Sequence, residues 1–196
     1  MKTTTSRLVL ASGSSYRKAL LERLGVPFSV DVPGTDEGAA EGEPVALTAL
    51  RLAEAKARTV AARHPASLVI GSDQLAECAG TAVGKPRDRA HALDMLRAMR
   101  GRTVVFHTGL VMLNTATGRL QSALVDVVST LRSLDDAALT AYIDRDHPLD
   151  CAGAVKVETL GIALFTRVAS DDPTALVGLP LIALCDMLAA EGIAVP

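Results

Sequence analysis

The chain has 196 residues, of which 49% are hydrophobic and 21% charged, a composition typical of folded globular proteins. Its net charge of −2 and its aromatic content of 3% argue against nucleic-acid binding, which requires a basic surface or stacking side chains. No apolar run reaches the length of a membrane span, and the N-terminus lacks a signal-peptide core. We therefore expect one domain over residues 1–196, located in the cytoplasm, with neither nucleic acid nor membrane as a partner. Three scattered cysteines agree with a reducing compartment.

The first predicted strand, 8–11, leads into the sequence SGSSYR and an amphipathic helix that ends before Gly25. Ser14 is placed to cap this helix, and the N–H groups and hydroxyls around Ser12 can bind an anion at its N-terminus. Arg17, one turn later, can add a bidentate contact. The same residues also suit a plain turn whose serines only cap the helix, so this stretch alone leaves both interpretations open.

An acidic pair, Asp36 and Glu37, follows a predicted strand over 28–32. Two neighbouring carboxylates are either metal ligands or solvated turn residues. Beyond this loop, Pro44 begins a predicted helix that continues to about Arg63.

A continuous apolar run, 68–70, predicts a short strand buried on both faces, and Asp73 follows it in the sequence GSDQ. In open α/β sheets the chemistry lies at the carboxyl ends of such strands. Asp73 is therefore the best single candidate for a catalytic residue, with a surface turn as its alternative.

Lys85 lies between Gly84 and Pro86, which restrict the backbone around it. A lysine held in this way can act as a point-charge ligand for phosphate. The same tripeptide is also an ordinary turn into the next helix.

The remaining pattern combines a long hairpin with further helices. Residues 103–114 and 121–131 predict two strands joined by a turn, and His107 is interpreted as a satisfied sheet histidine. Helices are predicted over 88–99, from a capping box formed by Ser133 and Asp136 to about 143, and over 181–190. This alternation predicts an α/β fold, with a mixed sheet, helices on both faces, and two lobes that enclose a cleft.

Seven short motifs in this order and spacing resemble the Maf family of nucleoside triphosphate pyrophosphatases. They are Ser12 to Arg17, Asp36 and Glu37, Arg51 to Lys56, Asp73, Gly84 to Pro86, Ala152 and Gly153, and Gly178 to Pro180. The resemblance covers residues 8–188 and implies a highly twisted mixed sheet flanked by helices, as in inosine-triphosphatase-like folds. It also implies hydrolysis of a nucleoside triphosphate to the monophosphate and pyrophosphate.

Within the family, the stretches IGSDQ, CAGAVKVE, LGIALF and ALVGLPLIAL are similar to the branch that hydrolyses 7-methyl-GTP. The family positions associated with base choice fall on Tyr16, Gln74 and Glu158, whereas the branch acting on dTTP and UTP carries Arg, Thr and Gln there. An aromatic face and a carboxylate both suit the cationic ring of 7-methylguanine. Two departures are Ser15, where the family has proline, and Thr159, where it has glycine.

The resemblance assigns substrate binding to Ser12, Arg17, Lys56 and Lys85. It assigns a divalent cation, expected to be Mg²⁺, to Glu37 and Asp73. Asp73 is either the general base on the attacking water or purely a metal ligand. A homodimer is also expected.

Two other functions stay open from the sequence. One is a pyrophosphatase of the dTTP and UTP branch, or of broader range. The other is a nucleotide-binding regulator of septum formation, in which the acidic residues do no chemistry.

Overall fold

The computed structural model describes residues 7–35, 38 and 42–196. Within these residues, seven strands form one sheet and five α-helices flank it. The strands are β1 (Arg7–Ala11), β2 (Phe28–Val30), β3 (Ser67–Cys78), β4 (Thr81–Val83), β5 (Thr103–Asn114), β6 (Leu120–Leu131) and β7 (Phe165–Ala169). The helices are α1 (Ser15–Glu22), α2 (Val45–Ala61), α3 (Arg89–Met99), α4 (Asp136–Asp146) and α5 (Leu181–Ala190).

The sheet is mixed, as the sequence predicted. Its strand order is β2-β1-β3-β5-β6-β7, and β4 pairs with β3 beside this path. β1 lies parallel to β2 and β3, whereas all other pairs are antiparallel. The α/β prediction is confirmed.

β3 is longer than the sequence predicted. Its apolar residues end at Ile70, but the strand continues to Cys78 because β5 pairs with it from Leu68 onward. An antiparallel strand can alternate polar and apolar residues. A continuous apolar run therefore does not mark its full length. Asp73 therefore lies in the middle of a strand, not at its carboxyl end. It is nevertheless beyond the last residue that β3 pairs with β1, which is Gly71.

The start of α4 is a second correction. The predicted capping box at Ser133 is wrong, because the helix begins two residues later. The carboxylate of Asp135 accepts the N–H of Ala138 at 2.8 Å and is the N-cap. The hairpin of β5 and β6 and the helix α5 are confirmed at their predicted positions.

Helices cover both faces of the sheet, because neighbouring residues of a strand point to opposite sides. On one face, Leu8 and Leu10 of β1 pack with α1 and α5, and Phe106 of β5 packs with α3 and α4. On the other face, Val9 packs with α2. None of the described helices is both long enough and apolar enough to span a membrane. Cys78, Cys151 and Cys185 carry free thiols.

Candidate active site

A cavity of about 740 Å³ is lined by the loop after β1, by α2 and β3, and by the loops that follow β2, β4 and α4. Seven of the residues predicted for the site line it: Ser12, Tyr16, Arg17, Lys56, Asp73, Gln74 and Lys85. An adjoining cavity of about 110 Å³ is lined by Glu158 together with Tyr16 and Gln74. The structure thus brings together every predicted site residue except Glu37, which lies outside the described residues.

The loop after β1 caps α1 and also lines the larger cavity. Ser14 Oγ accepts the N–H of Arg17 at 3.3 Å, which caps α1, and Ser12 Oγ accepts the N–H of Ser14 at 3.1 Å. Ser12 is buried, yet it lines the larger cavity. The positive end of the α1 dipole therefore faces the cavity, where it favours an anion.

Arg17 is held by a loop from the far end of the chain. Its Nε donates to the carbonyl of Gly178 at 2.8 Å, and Ser72 Oγ lies 2.8 Å from the same carbonyl oxygen and 2.9 Å from that of Gly109. Gly178 has φ of 104°, a left-handed conformation that favours glycine. The Gly178 carbonyl thus orients the Nε side of the Arg17 guanidinium. The sequence motif around Gly178 did not predict this role.

Lys56 and Asp73 form a buried ion pair. Lys56 Nζ lies 2.5 Å from Asp73 Oδ1, and the two residues are 6% and 7% exposed. A buried polar group is costly unless it is paired, and here each side chain gives the other a hydrogen-bond partner. Nothing in the sequence links these two residues, which lie 17 positions apart.

Two glycines allow α2 to approach the sheet closely enough for this pair to form. A Cβ on Gly71 would lie 2.2 Å from the carbonyl oxygen of Ala53, and one on Gly109 would lie 2.6 Å from that of Ala49. Both distances are too short for any side chain. The sequence pattern did not single out either glycine.

The amide of Gln74 has a defined orientation. Its Nε2 lies 2.9 Å from Thr108 Oγ1 and 2.7 and 3.2 Å from the carbonyl oxygens of Ala175 and Leu176, so its two N–H groups are shared among three acceptors. This orientation is the one that satisfies the hydrogen-bond network. It leaves the carbonyl oxygen Oε1 as the group that can meet a ligand.

Glu158 lines the smaller cavity beside Tyr16 and Asp150. Desolvation raises the pKa of the Glu158 carboxyl; a backbone hydrogen bond and the charge of Lys156 oppose this, whereas Asp150 and Asp146 add to it. The hydroxyl of Tyr142 orders the chain just before Glu158, because it donates to the carbonyl of Ala154 and accepts the N–H of Lys156, each at 3.0 Å. The smaller cavity therefore combines an aromatic ring, Tyr16, with two carboxylates, Asp150 and Glu158, and it is also lined by the cations Arg17 and Lys85.

Lys85 and Asp150 both line the larger cavity, and a backbone hydrogen bond joins the two loops that carry them. The N–H of Gly153 donates to the carbonyl of Gly84 at 2.9 Å. Gly153 has φ of 65°, which turns the chain back toward this contact. Asp150 is a cavity residue that sequence analysis did not single out.

The comparison with known proteins agrees with this geometry. The family model described as "Maf-like protein" matches residues 7–191. The chain belongs to the Maf family. A protein of Ralstonia nicotianae named 7-methyl-GTP pyrophosphatase is 57% identical over 92% of this chain and 93% of its own length. Proteins with the same name from Cupriavidus metallidurans and Aromatoleum aromaticum are 51% and 50% identical, over 96% and 97% of this chain and 95% and 98% of their own lengths.

The two departures from the Maf pattern have different local effects. Ser15 begins α1 in place of proline, and the helix forms as expected. Thr159, in place of glycine, adds a contact, because its hydroxyl donates to Asp146 Oδ2 at 2.8 Å. This contact ties the Glu158 segment to the end of α4.

The donor set of the larger cavity fits a hard divalent cation. Its carboxylates within the described residues are Asp73 and Asp150. The described part of the chain holds no group of three or more His, Cys, Asp or Glu side chains that could bind a metal ion alone. Mg²⁺ commonly uses one or two carboxylates together with substrate phosphates and water, so this set is sufficient for it.

Proposed function

We propose that this member of the Maf family hydrolyses 7-methyl-GTP to 7-methyl-GMP and pyrophosphate. The observation that carries the proposal is the junction of the two cavities. Arg17, Lys56 and Lys85 line the larger one, and Tyr16 and Glu158 line the smaller one, which Arg17 and Lys85 also reach. The three cations suit a triphosphate, and the Tyr16 ring and the Glu158 carboxylate suit a cationic base. The names of the three relatives support the same substrate.

The triphosphate is proposed to lie along the larger cavity. Arg17 and Lys85 offset its negative charge, and Ser12 donates a hydrogen bond. Phosphoryl transfer depends mainly on such positioning and charge neutralisation. Glu37 and Asp73 would hold Mg²⁺, which would neutralise further charge on the phosphate oxygens.

Asp73 is proposed as the general base. Lys56 donates to Asp73 Oδ1, and Oδ2 is proposed to take a proton from the attacking water; in the alternative, Asp73 serves purely as a metal ligand. The water oxygen bonds to the α-phosphorus, the bond from that phosphorus to the α,β-bridging oxygen breaks, and pyrophosphate leaves. A nucleotide-binding regulator would have no use for a carboxylate buried in its phosphate cavity.

Base choice is assigned to the smaller cavity. The Tyr16 ring offers a face for the methylated guanine cation, and Glu158 accepts from its N1–H and amino groups. A uracil would place a carbonyl against this carboxylate and leave both unpaired, which disfavours the dTTP and UTP branch.

The wider assignments follow from this substrate. We propose that residues 1–196 act as one domain and that the protein works on the cytoplasmic nucleotide pool, consistent with its three free thiols. A homodimer stays a prediction.

The experiment that tests the proposal is pyrophosphate release by the purified protein with Mg²⁺. 7-Methyl-GTP, GTP, dTTP and UTP are compared at equal concentration. We expect turnover chiefly of 7-methyl-GTP. Turnover chiefly of the pyrimidine nucleotides would contradict the base assignment alone, and no turnover would favour the regulator.

Glu158→Gln is expected to lower the ratio of kcat/KM for 7-methyl-GTP over UTP by roughly ten- to hundredfold, because only one terminal atom of the amide accepts hydrogen bonds and the amide carries no charge to offset a cation. The overall rate should change less than the ratio. Glu54→Gln makes the same chemical change on the exposed face of α2, where Glu54 pairs with Arg58 at 2.7 Å, and is the matched control. An unchanged ratio in Glu158→Gln would show that Glu158 does not read the base.

A further inference from the structure

Asp172 is a buried carboxylate outside the proposed chemistry. It is 3% exposed, and it is not among the described residues that line either cavity. Oδ1 accepts the N–H of Thr174 at 2.9 Å and lies 2.6 Å from the Thr174 hydroxyl oxygen, and Oδ2 accepts the N–H of Ile182 at 2.7 Å. A buried charge with this many donors is well compensated, and here it connects the chain after β7 to the first turn of α5.

Thr174 extends this network across the loop between β7 and α5, which we call the 172–182 loop. Its Oγ1 accepts the N–H of Leu181 at 2.8 Å and lies 2.9 Å from the carbonyl of Leu179. The hydroxyl has a single hydrogen, so it donates either to this carbonyl or to Asp172. The loop is therefore closed on itself by two side chains at its start.

The backbone carbonyls of the 172–182 loop point to the site. The carbonyl of Gly178 accepts from Arg17 Nε at 2.8 Å. The carbonyl of Ala175 accepts from Gln74 Nε2 at 2.7 Å and from Thr108 Oγ1 at 3.0 Å. One loop thus orients both a phosphate-binding and a base-selecting side chain.

We propose that Asp172 is a positioning residue for Arg17 and Gln74, acting through the backbone of the 172–182 loop. The roles of Arg17 and Gln74 rest on the proposed function, whereas their contacts with the loop do not. Asp172 keeps the carbonyls of Gly178 and Ala175 in place, and these fix the guanidinium and leave Gln74 Oε1 toward the base. Phosphate binding and base choice are therefore coupled through a residue that touches no substrate.

The kinetic test uses Asp172→Asn, Thr174→Val and Thr174→Ser. Asparagine cannot accept at both of its terminal atoms, and valine lacks the hydroxyl, so both variants loosen the loop. We expect each to lower kcat/KM for 7-methyl-GTP by about ten- to hundredfold, with KM raised for every nucleotide and a smaller preference for 7-methyl-GTP over UTP. Thr174→Ser keeps the hydroxyl and should retain near-normal values. A purely structural role would reduce the amount of active protein and leave KM and the preference unchanged, which would overturn the proposal.

A second measurement separates this inference from the proposed function. In nucleotide-free protein, the ¹⁵N NMR signals of the Arg17 Nε–H and the Gln74 side-chain amide report the two contacts directly. We expect both to shift in Asp172→Asn and to stay in place in Asp135→Asn, which alters the cap of α4 instead. The Arg63 Nε–H, bonded to Asp31 at 3.0 Å, is an internal reference. Unchanged Arg17 and Gln74 signals in Asp172→Asn would overturn the inference even if the protein cleaves 7-methyl-GTP. Shifted signals would support it even if the substrate assignment fails.

Discussion

Asp73→Asn is expected to lower kcat for 7-methyl-GTP by about a thousandfold, because an amide cannot take a proton from the attacking water. Asparagine has nearly the same shape, and its oxygen can still accept from Lys56 Nζ, which lies 2.5 Å from Asp73 Oδ1 in the parent protein. The packing of α2 on the sheet should therefore survive. The measurement is steady-state pyrophosphate release with Mg²⁺ at saturating nucleotide, together with circular dichroism to check the fold.

The stability of this variant needs its own control, because Lys56 loses a buried counter-ion. Breaking a buried ion pair costs about 3–5 kcal/mol when one partner is removed, and the retained hydrogen bond should keep the loss below that range. Asp126→Asn makes the same change on β6, where the carboxylate lies 2.7 Å from His107 Nδ1 and outside both cavities. It should keep its activity. Retention of more than a tenth of the parent rate by Asp73→Asn would remove Asp73 as the general base.

The elements that the sequence predicted well are those defined by local signals. Helix α1 begins after the capping residue Ser14 and ends before Gly25, and α5 occupies its predicted range. Apolar periodicity and capping residues determine these elements within a few positions of the chain. β5 was also located correctly, because a long β-rich segment followed by a turn has few other solutions.

A local signal misled only at the start of α4, where Asp135 and not Ser133 caps the helix. The other features that the sequence missed depend on a distant partner. β3 extends past its apolar run because β5 pairs with its second half. The ion pair of Lys56 with Asp73 depends on how closely α2 approaches the sheet. The contact of Arg17 with Gly178 spans 161 positions. Local patterns hold no information on such pairings, so the sequence motifs suggested which residues converge but not how each is held.

Gly71, one of the two glycines that let α2 pack closely on the sheet, provides the strongest test of this packing. Gly71→Ala would place a Cβ 2.2 Å from the carbonyl oxygen of Ala53 and 2.8 Å from the N–H nitrogen of Ala57. Both are backbone atoms of α2, so the helix must move outward as a unit and separate Lys56 from Asp73. We expect a loss of about 3 kcal/mol in unfolding free energy, measured from the urea midpoint, and a large fall in kcat.

The matched control for this overpacking is Gly84→Ala. A Cβ at Gly84 meets nothing within 4 Å, and its backbone is not left-handed. Such a substitution changes stability mainly through the unfolded chain and should be neutral or stabilising by up to about 1 kcal/mol. The two variants thus add the same methyl group and differ only in what it meets. If Gly71→Ala unfolded at the same urea concentration as Gly84→Ala, α2 could not lie directly on β3. The buried contact of Lys56 with Asp73 would then lose its structural basis. So would the position of Asp73 on which the proposed proton transfer from water depends.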